Sequence, residues 1–528
     1  MTDPASPPPP PDAPARAAVP RRRAAFAGVV TVGAALAIGE LGAGLVPGIP
    51  SPLLAISRLV VDLQPPGAKD VVVGIFGTSD KLALQVLVVV VALAIGAAIG
   101  VLARGRPSAA TVVIGAFAGA GFLASLRDPD VVPVLAAIVA GVETVAASWV
   151  LGWLLAGAAP VAAAGRRGMP DWTRRRLIQR GGAVAVGSVA VAVFGRWLLE
   201  KARIPVEAGA LPEPAVPATL PAGADIATAD LTTAGLTPIV MPNARFYRID
   251  TAFVPPAVDV TTWTLRIHGM VDREVTLTYD QLIALPIIEQ FVTIACVSNE
   301  VGGDLVGNAA WRGVSLRDVL AMAGVQAGAT QLVGRSVDGF TVGMPTAWVM
   351  DESRVPMIAV GMNGQVLPRL HGYPARLIVP GLYGYVSATK WLSELELTTL
   401  EAFDAYWVPL GWAKEAPILT QSRIDVPQNG TSLAPGRTTI AGVAWAPDRG
   451  VERVEVSIDQ GPWLPATISA PISDATWVQW VLPWDATSGT HSVEVRATDG
   501  TGAVQTADMS RPAPDGARGH HRIAFRVG

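Results

Sequence analysis

Apolar residues are distributed unevenly along the chain. Before about residue 200 they run in long uncharged stretches, and beyond it they alternate with polar residues in short runs. Five stretches are long and apolar enough to cross the roughly 30 Å hydrocarbon core of a bilayer: residues 24–46, 82–103, 109–126, 131–158 and, more weakly, 181–199. The pattern therefore predicts a transmembrane helical domain of about five helices over residues 24–199. A Pro/Ala-rich stretch, residues 1–23, precedes it and reads as a disordered tail. A second Pro/Ala-rich stretch, residues 200–240, follows and reads as an extended linker.

Past the linker the periodicity changes. "TTWTLRIHGMV" and "EVTLTYDQLIAL" read as two strands and a short helix opening at Tyr279 and Asp280. "WRGVSLRDVLAMAGV" reads as a turn, a Ser315 N-cap and an amphipathic helix that offers Leu316, Val319, Leu320 and Met322 to a core. This mixture predicts an α+β domain over residues 241–415 with a mostly antiparallel or mixed sheet. In residues 416–528, "VERVEVSID" and "HSVEVRATDG" alternate apolar and polar residues and no helical period appears, which predicts an immunoglobulin-like β-sandwich.

Composition sharpens the membrane reading. The chain is 51% hydrophobic and 16% charged, too apolar for a wholly soluble protein of 528 residues. Its net charge of −3 offers no basic face for nucleic acid. Basic residues set an orientation, since they concentrate on the cytoplasmic side of spans. With the N-terminus inside, the inner segments hold Arg16, Arg21 to Arg23, Arg104, Arg106, Arg166, Arg167, Arg174 to Arg176 and Arg180, against Arg58, Lys69, Lys81 and Arg127 outside. Five spans then put the remainder of the chain outside the cytoplasm. The first span, longer than a signal core and followed by others, reads as a retained anchor. Thr173, Arg174 and Arg175, with the Gly/Ala-rich segment after them, resemble a twin-arginine export signal. Glu40 and Glu143 fall inside spans, where a carboxylate is costly and a candidate for function. All five histidines lie beyond the spans, so the helical domain has no imidazole pair for a transmembrane haem.

The one cysteine, Cys296, stands in "FVTIACVSNEVGG". It has no partner in the chain for a disulfide. A buried lone cysteine is commonly a small inert hydrophobe, but outside the cytoplasm a free thiol is exposed to oxidation, which favours a protected role such as metal ligation. That segment, with "WRGVSL" and "MNGQVLPRLHGYPARLIVPGLYGYVSATKWL", resembles the sulfite oxidase family of molybdopterin enzymes, and the likeness extends over roughly residues 240–528. The resemblance implies a sulfite-oxidase-type molybdopterin domain carrying molybdenum-molybdopterin. Cys296 is then the single protein thiolate on molybdenum, and Arg376, Lys390 and the Ser387, Ala388, Thr389 turn hold the pterin phosphate. His371 matches the family's pterin-contacting histidine, "PNARFYRID" nominates Tyr247 and Arg248, and Asn299 and Ser336 are weaker candidates. The C-terminal sandwich resembles the family's dimerisation domain, which implies a homodimer.

Departures from the family carry information of their own. Sulfite-oxidising members have histidine at the place of Asp250, tyrosine at the place of Val360, and basic residues where Glu300 and Val301 follow the cysteine. An anionic substrate is drawn by positive charge near the metal, so these replacements argue against sulfite. The expected activity is two-electron oxygen-atom transfer on a small substrate by a membrane-anchored oxidoreductase. With no CxxCH motif, its electrons are expected to pass to or from a separate carrier, a redox protein or a quinone. A sulfite dehydrogenase drawing positive charge from Arg312 or Arg335, and a non-enzymatic tethered binding protein, are the alternatives.

Overall fold

The computed structural model describes residues 19–46, 48–65, 76, 80–128, 131–158, 172–201, 209–218, 220–221 and 225–528. Most of the N-terminal tail, part of the linker, and Arg16, Lys69, Arg166 and Arg167 lie outside the described residues. The chain divides into two compact units, Met1–Ile204 and Pro205–Gly528.

The first unit is helical: α1 (Arg21–Leu45), α2 (Pro52–Asp62), α3 (Asp80–Ala103), α4 (Pro107–Ser125), α5 (Pro133–Ala158) and α6 (Trp172–Lys201). All but α2 are long and apolar enough to cross a membrane. The short α2, capped by Ser51 with Pro52 at its first position, is absent from the apolar pattern because its eleven residues are interrupted by Ser57 and Arg58. Glycines let the helices approach closely. A Cβ on Gly28 would lie 1.9 Å from the Gly96 carbonyl oxygen, and one on Gly44 would lie 2.3 Å from that of Gly195.

The second unit begins with segments 209–218 and 225–240. Expected as an extended linker, they are docked: Val216 N donates to Ile287 O at 3.2 Å, Glu289 N donates to Val216 O at 2.9 Å, and Leu231 N donates to Gln479 Oε1 at 2.7 Å. A mixed sheet and an antiparallel sheet follow. One contains β1 (Thr264–Gly269), β2 (Val275–Thr278), β5 (Gln331–Ser336), β6 (Thr341–Pro345) and β10 (Leu392–Thr398), in the order β2-β1-β10-β5-β6, with β1 and β10 parallel. The other runs β3 (Ile287–Ala295), β4 (Val306–Ser315), β7 (Met357–Met362), β8 (Gln365–Val366), with β9 (Arg376–Ile378) on β7. Short helices α7 (Tyr279–Ile283), α8 (Leu316–Ala323), α9 (Thr346–Met350) and α10 (Gly384–Ser387) lie between strands. The Thr278 capping box with Gln281 opens α7, and the Ser315 side chain accepts from Asp318 N at the start of α8. Leu316, Val319 and Leu320 are buried as their spacing predicts, while Met322 packs at the core's edge.

The C-terminal segment forms a β-sandwich. One sheet has the order β11-β13-β17-β16 and the other β12-β19-β18-β14-β15, where β11 is Gln421–Val426, β12 Ser432–Leu433, β13 Gly436–Trp445, β14 Val451–Ile458, β15 Trp463–Pro465, β16 Thr467–Ile468, β17 Val478–Ala486, β18 Gly489–Asp499 and β19 His521–Val527. Ile440, Val454, Trp480, Val493 and Phe525 from both sheets fill the core between them.

Candidate active site

Cys296 ends the buried run of β3 and starts a loop that three hydrogen bonds close. Cys296 N donates to Leu305 O at 2.9 Å, Asn299 N donates to Cys296 O at 3.1 Å, and Asn299 Oδ1 accepts from Leu305 N at 2.8 Å. The Cys-x-x-Asn spacing is thus a turn that uses Asn299 as a clamp, leaving the thiol buried and unpaired at the strand's end. Gly303 is required beside it, since a Cβ there would sit 2.6 Å from Asn299 Oδ1. The sandwich braces the same loop: Arg423 Nη1 donates to Gly303 O at 2.9 Å, and Gly302, at φ +79, lies against the His521 ring.

A cationic group gathers near the thiol. Arg376 leads β9, its guanidinium stacked over Trp311 at 4.9 Å and its Nη1 donating to His371 O at 3.0 Å. Lys390 follows α10, and its Nζ lies 3.2 Å from Asp250 Oδ2 and 3.3 Å from Leu370 O. Arg248, at the rim, reaches the same Asp250 oxygen at 3.8 Å. Phe246 stacks on Tyr247 at 5.3 Å and stands edge-on to His371 and to Trp311, both at 5.7 Å. "RFY" therefore places one ring in the wall and the next, Tyr247, beside Cys296 and Arg376.

Burial dominates the electrostatics, because removing a group from water penalises its charged form. It pushes Arg376 down to about 10 and Lys390 down to about 8, the latter against the opposing pull of Asp250. Burial, reinforced by Arg376, Lys390 and Arg248, holds His371 down to about 4 despite its bond to Asn243. His371 is therefore neutral near pH 7. Its Nε2–H donates to Asn243 O at 2.9 Å, which leaves Nδ1 as an acceptor. Burial and the charge of an ionised Cys296 raise Tyr247 well above the usual phenol range.

The predicted residues separate into two groups. Cys296, Tyr247, Arg248, His371, Arg376 and Lys390 converge, with Asn299 as the loop clamp. Ser336 sits at the end of β5, where its hydroxyl accepts from Asp338 N in the β5–β6 turn. In the Ser387–Thr389 turn, expected to hold the phosphate, Ala388 N is already bonded to Gly384 O, and the Ser387 hydroxyl turns inward to Leu382 O and Tyr383 O. Two contributors were not nominated as cofactor-binding residues from sequence, although Asp250 stood out as a departure from the family. Asp250 neutralises Lys390 across 140 positions, and buried Tyr383, raised to about 12 by burial with Cys296 adding, lies against Gly516 of the sandwich segment. Only the quoted "GLYGY" hinted at the second.

These residues suit an anionic, metal-bearing cofactor. Among the described residues, the buried atoms His371 Nδ1, Arg376 Nε and Thr389 Oγ1 have no protein hydrogen-bond partner, although buried polar groups are nearly always paired. Two buried cations and a soft thiolate supply donors for a phosphate and a ligand for molybdenum. A family model described as the oxidoreductase molybdopterin binding domain matches residues 252–407, spanning β1 to β10. Residues 252–407 therefore carry a molybdopterin-binding oxidoreductase domain, and the chain is similar to the sulfite oxidases. Its relatives include rat mitochondrial sulfite oxidase, 31% identical over 291 residues, which are 46% of this chain and 52% of the rat protein. The human enzyme is 29% identical over 48% of this chain and 55% of its own length, and rice NADH nitrate reductase 1 is 27% identical over 51% and 34%. The chain thus spans about half the length of the curated sulfite oxidases it matches. Among solved structures, the sulfane dehydrogenase SoxCD from Paracoccus pantotrophus aligns with 51% of this chain and 75% of its own, at 25% identity and a TM-score of 0.45. A molybdopterin binding domain implies the molybdenum-molybdopterin cofactor for this oxidoreductase.

Proposed function

We propose that the chain is a membrane-anchored molybdenum oxidoreductase that carries out two-electron oxygen-atom transfer on a small substrate outside the cytoplasm. The observation that supports this most is the buried, loop-clamped Cys296 beside two buried cations whose neighbourhood retains unpartnered polar atoms. When bound, the cofactor supplies the two-electron redox chemistry. The chain's own residues do the rest. Cys296 ligates the metal, Arg376, Lys390 and the Thr389 hydroxyl hold the phosphate, and neutral His371 accepts a pterin N–H at Nδ1. Tyr247, kept protonated by its surroundings, donates a hydrogen bond into the site. Positive-inside bias and five spans argue for an outward-facing second unit. Export through the twin-arginine route at Arg174 and Arg175 fits a protein loaded with cofactor before crossing, and the sandwich is the candidate surface for a homodimer.

The substrate reading rests on charge. Asp250 engages Lys390 and Arg248, and Arg312, offered by the sulfite dehydrogenase alternative, is already paired with Glu289 at 2.9 Å. Arg335 is likewise committed to Glu396. Steady-state assays on purified full-length protein, with sulfite and an electron acceptor against dimethyl sulfoxide and reduced viologen, test it. Turnover of the neutral oxide with sulfite at least tenfold poorer in kcat/KM is expected; the reverse preference would return the reading to a sulfite dehydrogenase.

A further inference from the structure

A bilayer anchor needs no buried charge, yet the helical unit holds a connected polar cluster. Glu40 of α1 is 6% exposed; it accepts the Ser51 hydroxyl and pairs with Arg196 Nη1 of α6 at 3.3 Å. Arg196 Nη2 also donates to Gln85 Oε1 of α3 at 3.2 Å. Glu143 of α5 is 8% exposed, and among the described residues its Oε1 has no hydrogen-bond partner. That oxygen lodges against Gly39, where a Cβ would lie 2.2 Å away. The same Cβ would lie 2.5 Å from Pro52, whose neighbour Ser51 donates to Glu40, so the unpartnered oxygen lies beside the cluster. Charges in hydrocarbon are expensive to keep and mark functional positions.

Accessibility runs from the apolar side. The Arg196 side chain is 28% exposed, and exposed apolar residues flank it and Gln85 along their helices, Val193 and Trp197 on α6 and Leu82 and Val86 on α3, with Phe194 stacked on Trp197 at 5.6 Å. The arrangement is donors at an apolar rim and carboxylates behind them. It suits a flat, lipid-soluble molecule with two oxygens that accept hydrogen bonds in one redox state and donate them in the other.

We propose that this cluster binds the head group of a lipid-soluble quinone and its quinol. Arg196 and Gln85 donate to a quinone oxygen, and Glu143 Oε1 accepts a quinol O–H. The inference rests on the reading above that these helices span a membrane and that catalysis needs a two-electron carrier. Oxidising the quinol breaks two O–H bonds, releases two protons, one to Glu143 and one to solvent, and frees two electrons. Oxygen-atom removal consumes them: the substrate oxide takes two electrons and two protons and leaves as the deoxygenated product and water. In the opposite direction the quinone takes up both electrons and both protons.

The test is equilibrium binding of 2,3-dimethyl-1,4-naphthoquinone and decylbenzoquinone to the full-length protein in lipid nanodiscs, read by calorimetry against empty discs. Saturable binding of one quinone per chain is expected, weakened at least tenfold in Arg196→Gln and in Glu143→Gln. Ser188→Ala, whose hydroxyl donates to Val184 O within mid-α6, is expected to bind as the parent does. Should Arg196→Gln fail to insert, Gln85→Leu takes its place. No saturable binding of either quinone, or equal binding in the parent and folded variants, would overturn the proposal and leave the cluster a structural ion pair. Because binding is read without turnover, a failed viologen assay counts against the oxygen-transfer reading alone.

Discussion

Cys296 owes its position to a loop that Asn299 closes, and removing that clamp isolates the effect. Asn299→Ala leaves the half-buried Leu305 N–H without its acceptor, a loss of about 1 kcal/mol. We expect a lower midpoint of thermal unfolding and several-fold less molybdenum retained through gel filtration. His371 makes a pH prediction. Its folded-state value near 4 lies below the ordinary 6.5, so between these values the unfolded chain binds more protons and stability falls as pH falls. The full loss, of order 3 kcal/mol, is reached below about pH 4. Chemical denaturation of cofactor-free protein from pH 7 to 4 is expected to show this fall, flattened in His371→Gln. Individual site residues were legible where a motif is local: Cys296 in its strand-turn segment, and His371, Arg376 and Lys390 within twenty positions. What stayed hidden is long-range. Nothing near Lys390 announces Asp250, and Tyr383 acquires its setting from a sandwich loop more than a hundred residues downstream.

Elements were legible wherever periodicity was strong. The five spans, α8 with its Ser315 cap and the alternating sandwich strands follow their patterns. The short α2 lacks the length to register, and Arg196 is masked by the apolar average of its own helix. Glycines bear on element packing in ways that sequence alone does not reveal. At Gly313, where the β4–β7 register shifts, a Cβ would lie 2.1 Å from Ile358 O. Gly313→Ala is therefore expected to cost at least about 2 kcal/mol, read as a lowered unfolding midpoint. In the helical unit, Gly28→Ala drives a methyl into the Gly96 carbonyl, whereas Gly119 has nothing within 4 Å. Thermal unfolding of detergent-solubilised protein is expected to shift downward for Gly28→Ala and to stay put for Gly119→Ala.

At the scale of the whole molecule, the uneven apolar pattern foretold two differently built parts, and the contacts divide the chain into two such units. The docked segments 209–218 and 225–240 were harder to foresee, because proline-rich composition reports stiffness and not the surface that a strand lies on. The membrane reading predicts that the full chain stays in the pellet after alkaline carbonate extraction and is released by detergent. The central claim is that Cys296 ligates molybdenum while the buried cations beside it hold the cofactor's phosphate. Its most direct test is metal analysis of the detergent-purified full-length protein beside Cys296→Ser, both expressed in a host that makes the cofactor. About one molybdenum per chain is expected in the parent, with a changed metal absorption spectrum or lost metal in the variant. A folded parent without molybdenum, or a variant with unaltered metal content and spectrum, would contradict it.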